Sequence, residues 1–365
     1  MSADIFEPFQ LGDLTLANRM VVAPMTRNRA DRSGIVSPMM VTYYQQRASA
    51  GLIIAESAPV SAEGVGYPYT PGIYTEAQAA SWLHLTDAVH LIGGHIFAQL
   101  QHCGRISHPS LLPNNVTPIA PSALQPVGQA VTYTGMQDFV TPRALDISEI
   151  PGIVAQFRLG AEMAKLAGFD GVEVHGANGY IIDQFLRDGS NHRTDAYGGS
   201  VQNRMRLLNE ILDAICDVWH AQRVGVRLTP ENSFNSMTDS NPQAHFEYFA
   251  EQLSSRKLAY VHMLEGDMMT KNSSVDYRAL RSRFTGPYIA NNGYDLARAQ
   301  IAIQSGAASL VAFGIPFLSN PDLVRRYRES LPLNEVDPST FYGGAEVGYT
   351  DYPFYRSEVL EQTNP

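Results

Sequence analysis

Cysteine and lysine are both scarce in this 365-residue chain, which has two cysteines, Cys103 and Cys216, and three lysines, Lys165, Lys257 and Lys271. Two distant cysteines without metal-ligand spacing exclude a disulfide framework and a zinc cluster, so no metal is expected. They also fit a reducing compartment, and a cytoplasmic location is expected. None of the lysines falls at the C-terminal end of an expected strand, which discounts a Schiff-base aldolase. The formal net charge of -10 leaves no basic stripe for nucleic acid, and no basic cluster follows an apolar run. No apolar stretch approaches the ~18 residues of a membrane span. MSADIFEPFQLGDL has neither the basic nor the apolar segment of a signal peptide. A G-x-G-x-x-G fingerprint is missing too: APMTRNR, after the first apolar run, has no glycine at all, which argues against a doubly wound dinucleotide fold.

What the chain does have is 44% hydrophobic residues, enough for a sizeable core, and a regular alternation of apolar runs with helical stretches. The runs 19–24, 52–57, 95–100, 171–176, 224–230, 260–264, 287–292 and 310–315 are short and rich in β-branched residues, as strands covered on both faces are. Helical stretches are expected at 38–50, 76–93, 149–168, 200–221, 242–255, 275–284, 294–306 and 320–329. Eight strand–helix units predict one closed (β/α)8 barrel, with 1–365 as a single domain. Residues 1–17 are expected to form a hairpin closing the barrel bottom. A Pro, Gly and Ser-rich excursion at 101–148 follows the third strand, long enough to suggest a lid, and 331–365 forms a C-terminal tail.

In such a barrel the active site lies at the C-terminal ends of the strands. The polar residues expected there are Thr26, Glu56 and Ser57, Gln99 leading into Gln101 and His102, then His175, Asn178 and Tyr180. Further round come Arg227, then Asn291, Asn292 and Gly293, then Gly314 and Ile315. Taken singly, Thr26 and Gln99 serve equally well as ordinary hydrogen-bonding residues, and Tyr67 and Tyr342 as packing aromatics. His102 and His108 suit loop packing better than a metal, and Cys103 suits a buried filler better than a nucleophile. Arg227 inside a strand is different, because an unpaired buried charge is costly and calls for an anionic partner.

The segment HGANGYIIDQFLRDGSNHRTDAYGGSVQNR (175–204) resembles the Old Yellow Enzyme family. So do FEPFQLGDLTLANRMVVAPMTR, QRASAGLIIAES, GGHIFAQLQHCGRISH, VGVRLTP, FGIPFLSNPDL and FYGGAEVGYTDYP, in that order along nearly the whole chain. The resemblance implies FMN as cofactor, NADPH or NADH as reductant, and reduction of the C=C bond of an enone or nitro-alkene. A monomer or homodimer is expected, and the charge leaves no nucleic-acid or membrane partner expected. His175 and Asn178 match the pair that binds the substrate oxygen, and Tyr180 the proton donor. Pro24, Met25, Thr26, Ser57, Gln99, Arg227, Asn292, Gly293, Gly314 and Ile315 match the FMN-binding positions. Tyr67, Gln101 and Tyr342 match the substrate pocket.

Two positions depart from that pattern. Gln101 stands where the family usually has an aromatic, which alters the substrate pocket. Ile315, in FGIPF, stands where an arginine usually clamps the flavin phosphate, so a weaker grip on FMN is expected. A flavin-dependent isomerase on the same scaffold is one alternative, against which Tyr180 argues, since saturation needs its proton. A small-molecule binder with weakened FMN binding is another.

Overall fold

In the computed structural model, which describes residues 3–356, eight parallel strands close into a barrel. They are Met20–Val22, Leu52–Pro59, Ile96–Gln101, Gly171–Gly176, Val224–Leu228, Tyr260–Leu264, Tyr288–Asn291 and Leu310–Phe313. The runs are nearly all apolar because successive residues face different cores. Val21, Leu52 and Ile54 point into the barrel, while Met20, Val22 and Ile53 pack under the helices. The lower interior is plugged by Leu11, Leu14 and Leu16 of the N-terminal hairpin, together with Phe97, Tyr260 and Ile289. Glycine makes room for these rings. A Cβ at Gly171 would meet Phe97 Cζ at 2.4 Å, and one at Gly225 would meet Tyr260 Cε2 at 2.2 Å.

Two residues further along the same strands the interior turns polar. Phe97, Gly171, Gly225, Tyr260 and Ile289 are followed on the same face by Gln99, Glu173, Arg227, His262 and Asn291. The ladder places Gln99 beside Glu173, and Arg227 beside both His175 and His262. The barrel therefore has a dry floor and a charged, hydrogen-bonded layer above it.

Several expected boundaries move for identifiable reasons. The last expected helix, 320–329, is found as the shorter Leu323–Arg328, and a further helix, Ile315–Ser319, comes first. Pro321 has no N–H to continue the first, so the chain breaks there. Ile315, expected at the end of the last strand, opens the first of these helices instead, after Gly314 turns the chain (φ -91, ψ -90). Strand five stops at Leu228 and not at residue 230. Helix Val201–Cys216 ends five residues short of 221, where Trp219 turns inward and donates to Ala161 O at 2.9 Å. A helix at Ile181–Leu186 was not expected, because all six residues are buried and no amphipathic period marks it. The excursion 101–148 holds a hairpin, Gln129–Thr132 with Gly135–Asp138, whose Tyr133 packs edge-on against Tyr69 at 5.1 Å.

The tail folds back over the rim as far as Arg356, and 357–365 lie outside the described residues. Tyr349 stacks on Tyr43 at 4.3 Å, and Arg27 donates to Phe341 O (2.8 Å) and Gly348 O (2.9 Å). The tail thereby pins the loop that follows the first strand. No helix among the described residues is long and apolar enough to cross a membrane.

Candidate active site

The polar layer is one connected network. Glu173 is fully buried and accepts from Gln99 Nε2 at 2.7 Å and from His262 Nδ1 at 2.9 Å. Arg227 can only donate, so its contact with His262 Nε2 (3.4 Å) makes that nitrogen the acceptor and leaves the ring proton on Nδ1. Arg227 also donates to Asn291 Oδ1 at 2.9 Å, and Asn291 donates on to Ala312 O at 2.9 Å. Burial alone would raise the Glu173 carboxyl, but His262, Arg227 and Gln99 outweigh it and hold it below its ordinary value. Burial, reinforced by Arg227, lowers His262 and keeps it neutral. Arg227 Nε remains buried without a partner, and Gln99 keeps its carbonyl oxygen as an acceptor. A donor from a cation beside an amide acceptor fits the pyrimidine edge of a flavin, which offers carbonyl oxygens and an imide N–H.

Above this layer the end of the fourth strand is built tightly. Asn178 and Gly179 take left-handed backbone (φ 58 and 79), which turns the chain sharply into helix Ile181–Leu186. At Gly179 a Cβ would meet Asn235 Cβ and Met237 Cγ, each at 2.8 Å, so only glycine fits. Asn178 N donates to Thr229 Oγ1 (2.9 Å), and Asn235 Nδ2 donates to Asn178 O (2.8 Å). Asn232 Nδ2 donates to Asn178 Oδ1 at 3.0 Å, which leaves the Asn178 NH2 as the free donor. The rings of His175 and Tyr180 meet edge-on at 4.9 Å, and the hydroxyls of Tyr180 and Tyr67 are 3.0 Å apart. Burial, with Arg227 nearby, holds His175 well below its usual range and therefore neutral, and its Nδ1 has no partner. Burial, with Tyr67 beside it, drives the Tyr180 phenol well above its usual value, and burial likewise raises Tyr67.

Thr26 Oγ1 and Ser57 Oγ lie 3.3 Å apart where the first two strands end. Beneath them Glu56 is fully buried, accepting from Arg27 N (3.2 Å) and Tyr44 Oη (3.3 Å), and burial raises its carboxyl to about 7. Gln101 is buried and donates to Cys103 Sγ at 2.8 Å, while its Oε1 has no partner. Burial pushes the Cys103 thiol up to about 12 and His102 down to about 4, as suits packing groups. Tyr342 lies on the tail, 72% exposed and edge-on to Phe341, near enough to Tyr67 and Tyr180 for its phenol to help raise theirs.

The ends of strands seven and eight form the third corner. Asn292 and Gly293 have positive φ (92 and 67), and Met25 Sδ would lie 3.4 Å from a Cβ on Gly314. Fully buried Arg47 holds helix Ile315–Ser319 by donating to Phe317 O and Leu318 O, each at 2.7 Å. Ile315 is 53% exposed. Arg325 is turned toward Glu329 and Tyr355 O, and Arg326 toward Asp322 and the carbonyls of Pro332 and Pro353. Both point away from this corner, as their place in the last helix suggests. Successive backbone amides in left-handed turns suit an anion here.

Sequence reasoning missed Glu173, His262, Asn232 and Arg47. The first two had a signal: charged or imidazole side chains at alternate positions of otherwise apolar strands, GVEVHG and YVHML, have to be partnered. Asn232 and Arg47 had none, since their partners are distant in sequence. Outside the site, Asp188, Asp239 and His245 bring possible metal-ligand atoms within 4.8 Å of one another; Asp239 is paired with His245 at 2.6 Å.

A parallel barrel with a cationic, imide-matching layer and neutral donors at its C-terminal rim defines a flavin oxidoreductase. The model of the NADH:flavin oxidoreductase / NADH oxidase family matches residues 4–334, and the chain belongs to that family, the FMN-dependent Old Yellow Enzyme group. It is similar to 12-oxophytodienoate reductase 2 of Arabidopsis thaliana, 41% identical over 98% of this chain and 97% of that protein. Among solved structures it resembles morphinone reductase, with 46% identity, a TM-score of 0.93 and 97% of each chain covered. It also resembles the old yellow enzyme homologue from Zymomonas mobilis, with 42% identity, a TM-score of 0.93, and 96% of this chain and 99% of that one covered.

Proposed function

We propose that this enzyme reduces the carbon–carbon double bond of α,β-unsaturated carbonyl or nitro compounds, with NADPH or NADH as the source of reducing equivalents. FMN, when bound, supplies hydride transfer from N5. The observation that carries the reading is the convergence of His175, Asn178 and Tyr180 at the end of the fourth strand, with the Asn178 amide oriented by Asn232 at 3.0 Å. His175 and Asn178 donate to the substrate oxygen, where negative charge gathers as the β-carbon is reduced. Both are neutral, so they favour the charged oxygen without first binding a permanent counter-ion. Tyr180 is protonated across the working pH range and delivers its proton to the α-carbon. Tyr67, 3.0 Å away, is placed to hand a proton back.

Gln99 and Arg227 would hold the flavin pyrimidine edge, and Thr26 and Ser57, flanked by Pro24 and Met25, the side near N5. The amides around Asn292, Gly293 and Gly314 would cradle the phosphate, with Ile315 adding no charge. Gln101, Tyr67 and Tyr342 would line the substrate pocket. The chain acts as one unit, the 101–148 excursion and the tail closing over a single site.

Turnover of a small enone and nitro-alkene panel under nitrogen, with product analysis, tests the reaction; rearranged but unsaturated product would sink it. Phenol-type ligands, which mimic the charged substrate oxygen, test the donors. His175→Ala and Asn178→Ala should each weaken phenolate binding by about 1.5–3 kcal/mol, the worth of one hydrogen bond to a charged group. Unchanged binding in both variants rules out the oxygen-binding assignment.

A further inference from the structure

Glu173 touches neither the substrate end nor the rim, yet it is the member of the polar layer on which two others depend. It is fully buried and accepts from Gln99 Nε2 at 2.7 Å and from His262 Nδ1 at 2.9 Å. A carboxylate has no proton to give, so both neighbours must donate to it. Gln99 is thereby forced to keep its carbonyl oxygen free for a ligand N–H. His262 is forced to carry its proton on Nδ1 and so to present a bare Nε2 to Arg227 at 3.4 Å. The charge of Glu173 also partly offsets that of Arg227 in a region with little water to screen either.

We propose that Glu173 is a positioning residue that tunes the redox balance of the bound flavin. It fixes the donor and acceptor polarity of Gln99 and Arg227, and it limits how strongly Arg227 favours the reduced cofactor. The proposal rests on the reading that Gln99 and Arg227 meet the pyrimidine edge. Transfer of a hydride from the nicotinamide adds two electrons and one proton to FMN, so one negative charge remains near N1 and O2. Arg227 stabilises that charge, and Glu173, behind it, opposes it.

Glu173→Gln keeps the shape but cannot satisfy both neighbours as before. Its NH2 meets a donor on one side, so either Gln99 turns its amide over or His262 moves its proton toward Arg227. The negative charge is lost in either case.

The test is the midpoint potential of the FMN-loaded protein, measured by equilibration with a reference dye, with the dissociation constant of FMN measured separately by fluorescence. Glu173→Gln should raise the ratio of reduced to oxidised flavin at fixed poise at least tenfold, which for two electrons is about 30 mV. It should also weaken FMN binding several-fold, and Glu173→Asp should return the ratio toward the wild-type value. A ratio within threefold of wild type in Glu173→Gln overturns the proposal, even if stability falls.

Arg227→Met separates the two levels of the argument. If it changes neither the ratio nor FMN affinity, the flavin-edge reading itself is wrong. If it changes them and Glu173→Gln does not, only the role of Glu173 is wrong. Should Glu173→Gln yield no folded protein, His262 carries the test. His262→Leu breaks the link and should move the ratio threefold or more. His262→Gln can donate to Glu173 and accept from Arg227, and should restore it. An unmoved ratio in His262→Leu overturns the proposal.

Discussion

The rim has two unlike ends. Where strands four and five finish, side chains tie the backbone turn, Thr229 and Asn235 on Asn178 and Asp183 on Gly179, and Asn232 holds the Asn178 side chain. A buried ion pair, Asp183–Arg187 at 3.0 Å, lies beneath them. Where strands seven and eight finish, Arg47 holds helix Ile315–Ser319 from below and Arg298 donates to Asn292 O and Gly293 O, but Ile315 lies half in solvent and Arg325 and Arg326 are engaged elsewhere. On the function proposed above, the first end holds the donors that meet the substrate oxygen. On the same reading the second anchors a phosphate far from the chemistry, so isoleucine at position 315 should cost affinity and spare the reaction. The proposed roles thus predict precision at the first end and a looser hold on the cofactor at the second.

The largest break in this comparison should come at the chemical end. Tyr180→Phe should slow enone saturation by about 10²–10⁴-fold, the range for a positioned acid, and leave reduction of FMN by NAD(P)H near normal. Stopped-flow measurement of the two half-reactions checks this; equal slowing of both would mean that Tyr180 is structural.

Between the two ends, where the first two strands finish, the rim should carry a pH-sensitive cost. Burial raises Glu56 from 4.5 to about 7. A carboxyl raised in the folded state contributes its stability fully below the unfolded value and loses it as pH climbs through the folded one. Between about pH 4.5 and 7 the loss should reach about 3 kcal/mol, at 1.36 kcal/mol per unit. Denaturant titrations of the apoprotein across that window should show the decline, and Glu56→Gln should flatten it. A parallel decline in Glu56→Gln would place the titration elsewhere.

At the loose end, Ile315→Arg should tighten FMN binding about ten- to a hundredfold, as one to two charge-assisted bonds would. The wild type should then purify partly as apoprotein and turn yellower when FMN is added, while the substrate spectrum of the variant stays the same. Wild-type protein that keeps stoichiometric FMN through long dialysis would show that the backbone amides suffice.

The smallest effect sharpens the comparison. Asn232→Leu removes the bond that orients the Asn178 amide, so phenolate binding should weaken about fivefold, one net hydrogen bond, while FMN affinity is unchanged. Calorimetry on both ligands distinguishes these. A loss of FMN affinity would mean that the two ends are mechanically coupled.

The barrel was legible in the sequence because its determinants are local. Eight β-branched runs covered on both faces, each followed by a helical period, leave few other architectures. The placement of His175, Asn178, Tyr180, Thr26, Gln99 and Arg227 on one side of the barrel was legible because strand ends are where such a barrel keeps its polar groups. What the sequence could not decide is which groups satisfy which. Asn232 orients Asn178 across 54 residues, Glu173 meets His262 across 89, and Arg47 grips Phe317 O across 270. A hydrogen bond is decided over about 3 Å and chain order says little about it. Helix Ile181–Leu186 was hidden for a related reason: it is buried all round, so its pattern carries no period until the barrel and the excursion have closed on it.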